Sequence, residues 1–315
     1  MFCLINRLKY ISLKTKIFIF YAAILLASLS TFAFLTIKIS NEAIVEKATK
    51  NAERELLLIN NSLLNLTQNS EDYVRILSTD NRLQDQLERT RNEGIDSNNI
   101  EVKKTLSTVI SNVVLPNTHI AAASIMSPKQ KLFEIGFVDN SSIYPILDSN
   151  MISLVTQNKT PTWTGLVKIK YKYGGDGNVF AIAKTIIGRD TGHILGTAVL
   201  YLREENIASI YLDNMVNQGD KFFIIDDQKN IVSTRDKNEL YRKFDEERYL
   251  GKYKLDEASN IKSLIRNVGD KQSLITVQDF KKLNWKIVSI IPLDEITYEN
   301  KGITKLIVIF GAMCL

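Results

Sequence analysis

Ile17 to Ile37 reads IFIFYAAILLASLSTFAFLTI, 21 residues without a charge. At about 1.5 Å per residue, that run covers a hydrocarbon core of roughly 30 Å. In lipid every backbone N–H and C=O must be satisfied within the segment, and a single span does this only as a helix. Arg7, Lys9, Lys14 and Lys16 precede the run and no acidic residue does, so the positive-inside rule places the N-terminus in the cytoplasm. A cleaved signal peptide is the competing reading. Its apolar region is about 7–15 residues long and ends at a small-x-small site, whereas this run is longer and closes on FAFLTIKIS. No lipobox cysteine follows it. The expectation is a cytoplasmic tail over 1–16 and a transmembrane helix over 17–38.

The other end repeats the theme in part. Ile303 to Leu315 reads ITKLIVIFGAMCL, interrupted only by Lys305. That is too short to cross a membrane. Residues 303–315 are therefore expected to begin a second transmembrane helix, cut short; a tail docked on the domain is the alternative. The two cysteines, Cys3 and Cys314, then fall in the cytoplasm and the membrane. The region between avoids thiols, which excludes a disulfide-stapled scaffold and a Cys-rich zinc protein. All 35 acidic residues lie between Glu42 and Glu299, with 33 of the 40 Lys and Arg, so that span carries 33 − 35 = −2. The positive balance of the chain belongs to its ends and gives no reason to expect nucleic-acid binding.

The first glycine is Gly94 and the first proline Pro116, which favours continuous helix before them. Val45, Ala48, Ala52, Leu56, Ile59, Leu63, Leu66, Ser70, Tyr73 and Leu77 step by three and four, the α-helical period. One helix is expected to leave the membrane and run to about Ser78. Its seam faces either a second copy or its own domain. Asp80 caps a short helix to about Arg91, and a third runs from about Asn98 to Val114 with Ile100, Leu106, Val109, Ile110 and Val113 inward. Alternating strands follow: His119–Ser127 with Lys131–Val138, a helical stretch Tyr144–Gln157, then Thr162–Tyr173, Asn178–Ile187 and Gly192–Leu202. Glu204–Asn217 reads as helix. A shorter copy begins at Gly219, with strands Lys221–Asp226 and Ile231–Thr234, helical sequence over about Lys237–Val268, and a closing hairpin Ser273–Lys281 with Trp285–Ile291. Pro292 stops it, and Asp294 can cap the exit helix. This is an α+β arrangement of a long membrane-emergent helix and two similar antiparallel-sheet modules, flanked by transmembrane helices. The stalk spans 41–118, the membrane-distal module 119–217 and the membrane-proximal module 218–292, all within an exterior region 39–300.

Four segments carry a family resemblance: TPTWTG at 160–165, AIAKTIIGRDTGHILGTAVLYL at 181–202, FFIIDDQKNIVST at 222–234 and NWKIVSIIPLDEI at 284–296. The chain resembles the double-Cache, PAS-like sensor regions of bacterial transmembrane receptors over about residues 40 to 300. Within that family EDYVRILSTDNRLQDQLER at 71–89 is similar to YesM-like sensor histidine kinases. The resemblance implies a bacterial cell-membrane protein whose distal module binds a small ligand, and a homodimer signalling through the second membrane helix. It further implies a HAMP linker and a kinase part, which would use ATP and magnesium and phosphorylate a response regulator. Chemoreceptors carry similar sensors, and a membrane-anchored binding protein without an enzymatic half is a third possibility.

No catalytic motif occurs in these 315 residues, and no cofactor or metal is expected in the region. His119 and His193 lie in the exterior part, away from ATP. Gly174-Gly175-Asp176-Gly177 lacks the Glu-Phe of a diguanylate cyclase signature and reads as a hairpin turn. Asp226-Asp227 reads as Asx-turn chemistry. By analogy with the family, the ligand-binding candidates are Trp163, Tyr171, Tyr173, Lys184, Arg189 and Tyr201. Aromatic rings would enclose a ligand and the cations would pair with a carboxylate. The Arg-x-Trp-Tyr run of the amino-acid-binding subgroup is absent, and Tyr201 stands where its Asp is expected, which leaves the ligand open.

Overall fold

The computed structural model describes residues 12–92, 100–128, 132–146, 149–158, 160–213, 219–252 and 261–296. The expected second membrane segment 303–315, and the tail as far as residue 11, lie outside the described residues. Helix α1 runs Leu13–Thr79, 67 residues, from a Ser12 cap whose hydroxyl accepts from the Thr15 amide. Its apolar stretch reaches a mean hydropathy of 2.2 over 18 residues and none of that window is buried. From Ala52 onward one face is covered: Ala52, Leu56, Ile59, Leu63, Thr67, Ser70, Val74 and Leu77 are buried. The seam therefore packs on its own domain. Burying each of its large apolar side chains is worth about 2 kcal/mol.

Helix α1 stops at Asp80, whose extended backbone turns the chain. The Asp80 carboxylate accepts from the Leu83 amide at 3.1 Å and caps α2, Asn81–Asn92. Helix α3, Ile100–Val114, buries Val102, Leu106, Val109, Ile110 and Val113. Ile100, expected inward, is 83% exposed. It precedes Val102 by two positions, about 200° around the helix.

The first sheet contains β1 (Ile120–Met126), β2 (Leu132–Gly136), β3 (Thr162–Lys170), β4 (Asp176–Ile187) and β5 (Ile194–Arg203). Its order is β2-β1-β5-β4-β3, all neighbours antiparallel. Two short helices, α4 (Asn140–Ile146, containing Pro145) and α5 (Ser149–Gln157), stand where one stretch was expected. Helix α6, Glu204–Leu212, leads into the second sheet. There β6 (Lys221–Ile225), β7 (Ile231–Thr234), β8 (Ile261–Val268), β9 (Lys271–Phe280) and β10 (Trp285–Pro292) follow the order β7-β6-β10-β9-β8. Counted within each module, the two orders are identical.

The proximal half corrects two expectations. The stretch Lys237–Val268 is not helical throughout: its described residues hold a 3₁₀ turn at Lys237–Glu239, a helical turn α7 at Glu246–Tyr249, and strand β8. Ile261, Leu264, Ile265 and Val268 lie at helical spacing, but β9 supplies a full ladder, from Ile261 opposite Gln278 to Val268 opposite Lys271. Tertiary pairing overrides the local pattern. At the exit, Pro292 is still paired, opposite Ser273. Asp294 lies inside α8, Leu293–Ile296, and pairs with Lys271 at 3.3 Å rather than capping.

Each sheet is covered on both faces. Helices α1–α3 pack on one face of the distal sheet through Val74, Leu77, Leu87, Leu106 and Ile110 against Ile182, Ile186 and Leu200. Helices α4 and α5 cover the other through Ile143, Ile146, Met151 and Val155. The proximal sheet meets α1 and α6 on one side, and Leu240, Phe244, Tyr249 and Leu250 on the other. One cluster spans both modules, joining Phe180 and Leu202 to Phe222, Trp285 and Ile287 around Leu56, Ile59 and Leu63 of α1.

Candidate functional site

The face of the distal sheet beneath α4 and α5 is built mostly from small apolar residues. Strand alternation and register bring Ala122, Ser124 and Met126 of β1 beside Thr197, Val199 and Tyr201 of β5, and these beside Ala181, Ala183 and Thr185 of β4. The alanines leave room that the Tyr201 ring enters. Tyr201 and Ser124 are both fully buried, and their hydroxyls lie 3.0 Å apart. Glu134 of β2 stands directly opposite Ser124. Its side chain is 9% exposed and ion-pairs with Lys172. The Thr185 hydroxyl donates to the Val155 carbonyl at 2.9 Å and fastens α5 to the sheet. Burial pushes the Tyr201 phenol well above its ordinary range; the Ser124 hydrogen bond pulls it back, and the Glu134 charge adds to the rise. The phenol therefore stays protonated, able to donate. A carboxylate, an ammonium and the Ser124 and Tyr201 hydroxyls thus gather at the β1–β2 side of a face that also carries Thr185 and Thr197. The two hydroxyls pair with each other and the carboxylate with the ammonium.

The six residues expected to line a pocket do not converge. Tyr201 lies at the centre of this face. Tyr171 packs at its border, where a Cβ on Gly177 would come within 2.4 Å of the phenol oxygen. Burial raises the Tyr171 phenol, with the Glu205 charge adding to the effect. Trp163 and Lys184 belong to the opposite face. Trp163 sits opposite Ile182 and packs against the helical cluster. Lys184 sits opposite Ala198, its ammonium depressed first by burial and then by Arg75. Tyr173 is 87% exposed beside Phe137. Arg189 is exposed and pairs with its neighbour Asp190 at 3.2 Å. Alternation separates residues that motif analogy had grouped.

Sequence reasoning missed Ser124, Glu134 and Lys172. The signal was there: IAAASIM and LFEIG each carry one polar residue at an inward position of an apolar strand.

Trp163 has a different place. Its Nε1 donates to Glu71 Oε1 of α1 at 3.0 Å, and Lys282, between β9 and β10, donates to Glu71 Oε2 at 3.1 Å. The Glu71 side chain is 13% exposed. The Trp163 ring meets Trp285 of the proximal module edge-on at 6.5 Å. One carboxylate on α1 thus holds both modules. A second buried carboxylate, Glu204 at the start of α6, takes Lys237 at 2.7 Å and the Ser233 hydroxyl. Asp226 accepts from the amides of Gln228 and Asn230 at 3.0 and 2.7 Å, an Asx turn. Among the described residues no group of three His, Cys, Asp or Glu is placed to hold a metal.

No protein-family model matches the chain, and no curated protein matches it. Solved structures match in fold. The ligand-binding domain of the Campylobacter jejuni chemoreceptor Tlp3, in complex with L-norvaline, superposes with a TM-score of 0.57 at 13% identity, covering 81% of this chain and 94% of that one. The ligand-binding domain of the Pseudomonas fluorescens chemoreceptor CtaA, with L-isoleucine, gives 0.54 at 13%, covering 82% and 98%. The extracellular domain of soHK1S-Z6, a chain described as a histidine kinase, gives 0.59 at 16%, covering 82% and 98%. The chain shares its fold with these domains: a long N-terminal helix followed by two antiparallel sheets.

Proposed function

We propose that this chain is the extracytoplasmic sensing region of a membrane-bound receptor. It binds a small ligand on the distal face around Tyr201, Ser124 and Glu134, with Tyr171 at the border. The observation that carries this reading is helix α1. It is apolar and uncovered over its first part, and from Ala52 to Leu77 it forms one wall of both modules. A displacement of either module therefore reaches the segment suited to the membrane. The likeness in fold to ligand-binding sensory domains supports it.

For the output we favour a two-component histidine kinase of the YesM-like kind, working as a homodimer with ATP, magnesium and a response regulator on the cytoplasmic side. The EDYVRILSTDNRLQDQLER stretch, which spans the end of α1 and α2, supports this. The second reading is a chemoreceptor, favoured by the fold likeness to Tlp3 and CtaA.

Two experiments test the proposal. A topology reporter fused after residue 45 is expected to read exterior; a cytoplasmic signal removes the architecture. Tyr201→Phe and Ser124→Ala are expected to abolish the response to an active stimulus in the full receptor while leaving it folded. An unchanged response places the ligand elsewhere.

A further inference from the structure

The connection between β4 and β5, Gly188 to His193, closes on itself. The Gly188 amide donates to the His193 carbonyl and the Gly192 amide to the Gly188 carbonyl, both at 2.8 Å. Two side chains of α2 hold this turn. Gln84 Oε1 accepts from the Arg189 amide at 3.2 Å, while its Nε2 donates to the Ser78 carbonyl at 2.9 Å. Glu88 Oε2 accepts from the Thr191 hydroxyl at 3.3 Å. Gly188 leaves room for that carboxylate, since a Cβ there would come within 2.7 Å of Oε2. The other oxygen, Glu88 Oε1, is buried and has no hydrogen-bond partner among the described residues. Buried acceptors are nearly always paired, because each has given up water. His193 Nδ1 stands 4.0 Å from it, about 1 Å beyond a charge-assisted N–H···O bond. The His193 side chain is 55% exposed, so the ring meets solvent and the carboxylate at once. The other charges near the turn are engaged or turned outward. Arg189 and Asp190 pair with each other at 3.2 Å, and the Asp85 charge of α2 acts on Arg189. Arg89 and Arg91, in the last turn of α2, are exposed. From β1, Met126 and Ser127 approach Gly196 and carry no charge.

We propose that Glu88 and His193 form a clasp that acid tightens, through which the distal module reads the acidity of the exterior. Histidine is the side chain whose charge ordinarily changes between about pH 5 and 8, while carboxylates keep theirs across that interval. A protonated imidazole offers its Nδ1–H to Oε1 and adds an attraction that the neutral ring lacks. The turn then sits more firmly on α2 as pH falls, and less firmly as pH rises. Strands β4 and β5 run from this turn into the distal sheet, and α2 follows α1 at Asp80. A firmer clasp therefore stiffens the join between helix and sheet. The exterior placement rests on the reading above; the clasp itself does not, and it needs no ligand on the distal face.

Hydrogen–deuterium exchange of the full chain, read by mass spectrometry at about pH 5.5 and about pH 8, tests the clasp once each rate is corrected for intrinsic exchange. The peptides holding α2 and the Gly188–His193 turn are expected to be about threefold better protected at the lower pH, with β9 as the internal reference. His193→Asn and Glu88→Gln should each remove the gain, and Asp190→Asn should keep it. His193→Asn, at an exposed position, serves should Glu88→Gln unfold α2. Equal protection at the two pH values overturns the inference, and so does a gain that survives in His193→Asn. The purified chain is used, so a topology reporter that reads cytoplasmic removes the receptor reading without touching this result. A missing pH effect removes the clasp and leaves the receptor reading standing.

Discussion

At the scale of single residues, Glu71 and Tyr201 make the clearest commitments. Glu71→Ala leaves the Trp163 N–H and the Lys282 ammonium without their acceptor at a half-buried junction. A loss of about 1–3 kcal/mol is expected in urea unfolding. A double-mutant cycle with Trp163→Phe should return a coupling of about 1 kcal/mol; additivity would show that the contact carries nothing. Tyr201→Phe deprives the buried Ser124 hydroxyl of its partner and should cost about 1 kcal/mol by the same measurement. Of the candidate site, Tyr201, on the central strand β5, and Tyr171, just past the end of the edge strand β3, were legible in the sequence through the family analogy. Trp163 was legible as important but misread in role, because a strand residue's face depends on a register that a bulge between Trp163 and Leu166 shifts. Glu134 and Lys172 were invisible as a pair, since 38 positions separate them and only the sheet brings them together.

At the scale of elements, α1 was the most legible part of the chain, and β8 the least. The period of ten seam positions fixed the helix, and the observed end at Thr79 falls one residue beyond the expected one. In β8 the same kind of period misled, because its apolar spacing suits a helix while the edge of β9 supplies the hydrogen bonds. Glu55 on α1 yields a pH prediction. Burial, and after it the Asp220 carboxylate, raises the Glu55 carboxyl above its ordinary value. In the interval between its unfolded and folded values, the folded chain holds a proton that the unfolded chain has released. Stability therefore falls as pH rises through that interval. Urea midpoints measured from about pH 4 upward should show the fall, and Glu55→Gln should flatten it. A steeper slope in the variant would contradict the assignment. Within the distal sheet, Gly136 sits at φ +132°, and a Cβ there would come within 2.5 Å of the Ala122 backbone. Gly136→Ala should loosen the β1–β2 pairing and cost about 1–3 kcal/mol, seen as a lowered thermal midpoint.

At the scale of the whole molecule, the repeated strand order defines two modules, but the core does not respect the division. Phe180 and Leu202 of the distal sheet share a cluster with Phe222, Trp285 and Ile287 of the proximal one, closed by the same helix. Tyr241 of the proximal half also donates to Asn178 of the distal half at 2.7 Å. The two modules are expected to unfold together. Far-UV circular dichroism and tryptophan emission should give coincident transitions; two separated transitions would mean that the shared cluster does not couple them.

The clamp around Ala52 gives α1 mechanical character. Ala52 is held by Leu274 and by Leu293 at the head of the exit helix, with Val45, Ala48 and Ile291 beside them. Glu71 lies 19 residues above it, about 28 Å along the axis. Ala27, near the middle of the apolar run, lies 25 residues below it, about 38 Å away. A rigid rod pivoting at Ala52 is a lever whose longer arm is the apolar, uncovered segment. A sideways push of about 1 Å at Glu71 then emerges as about 1.3 Å at Ala27, in the opposite direction.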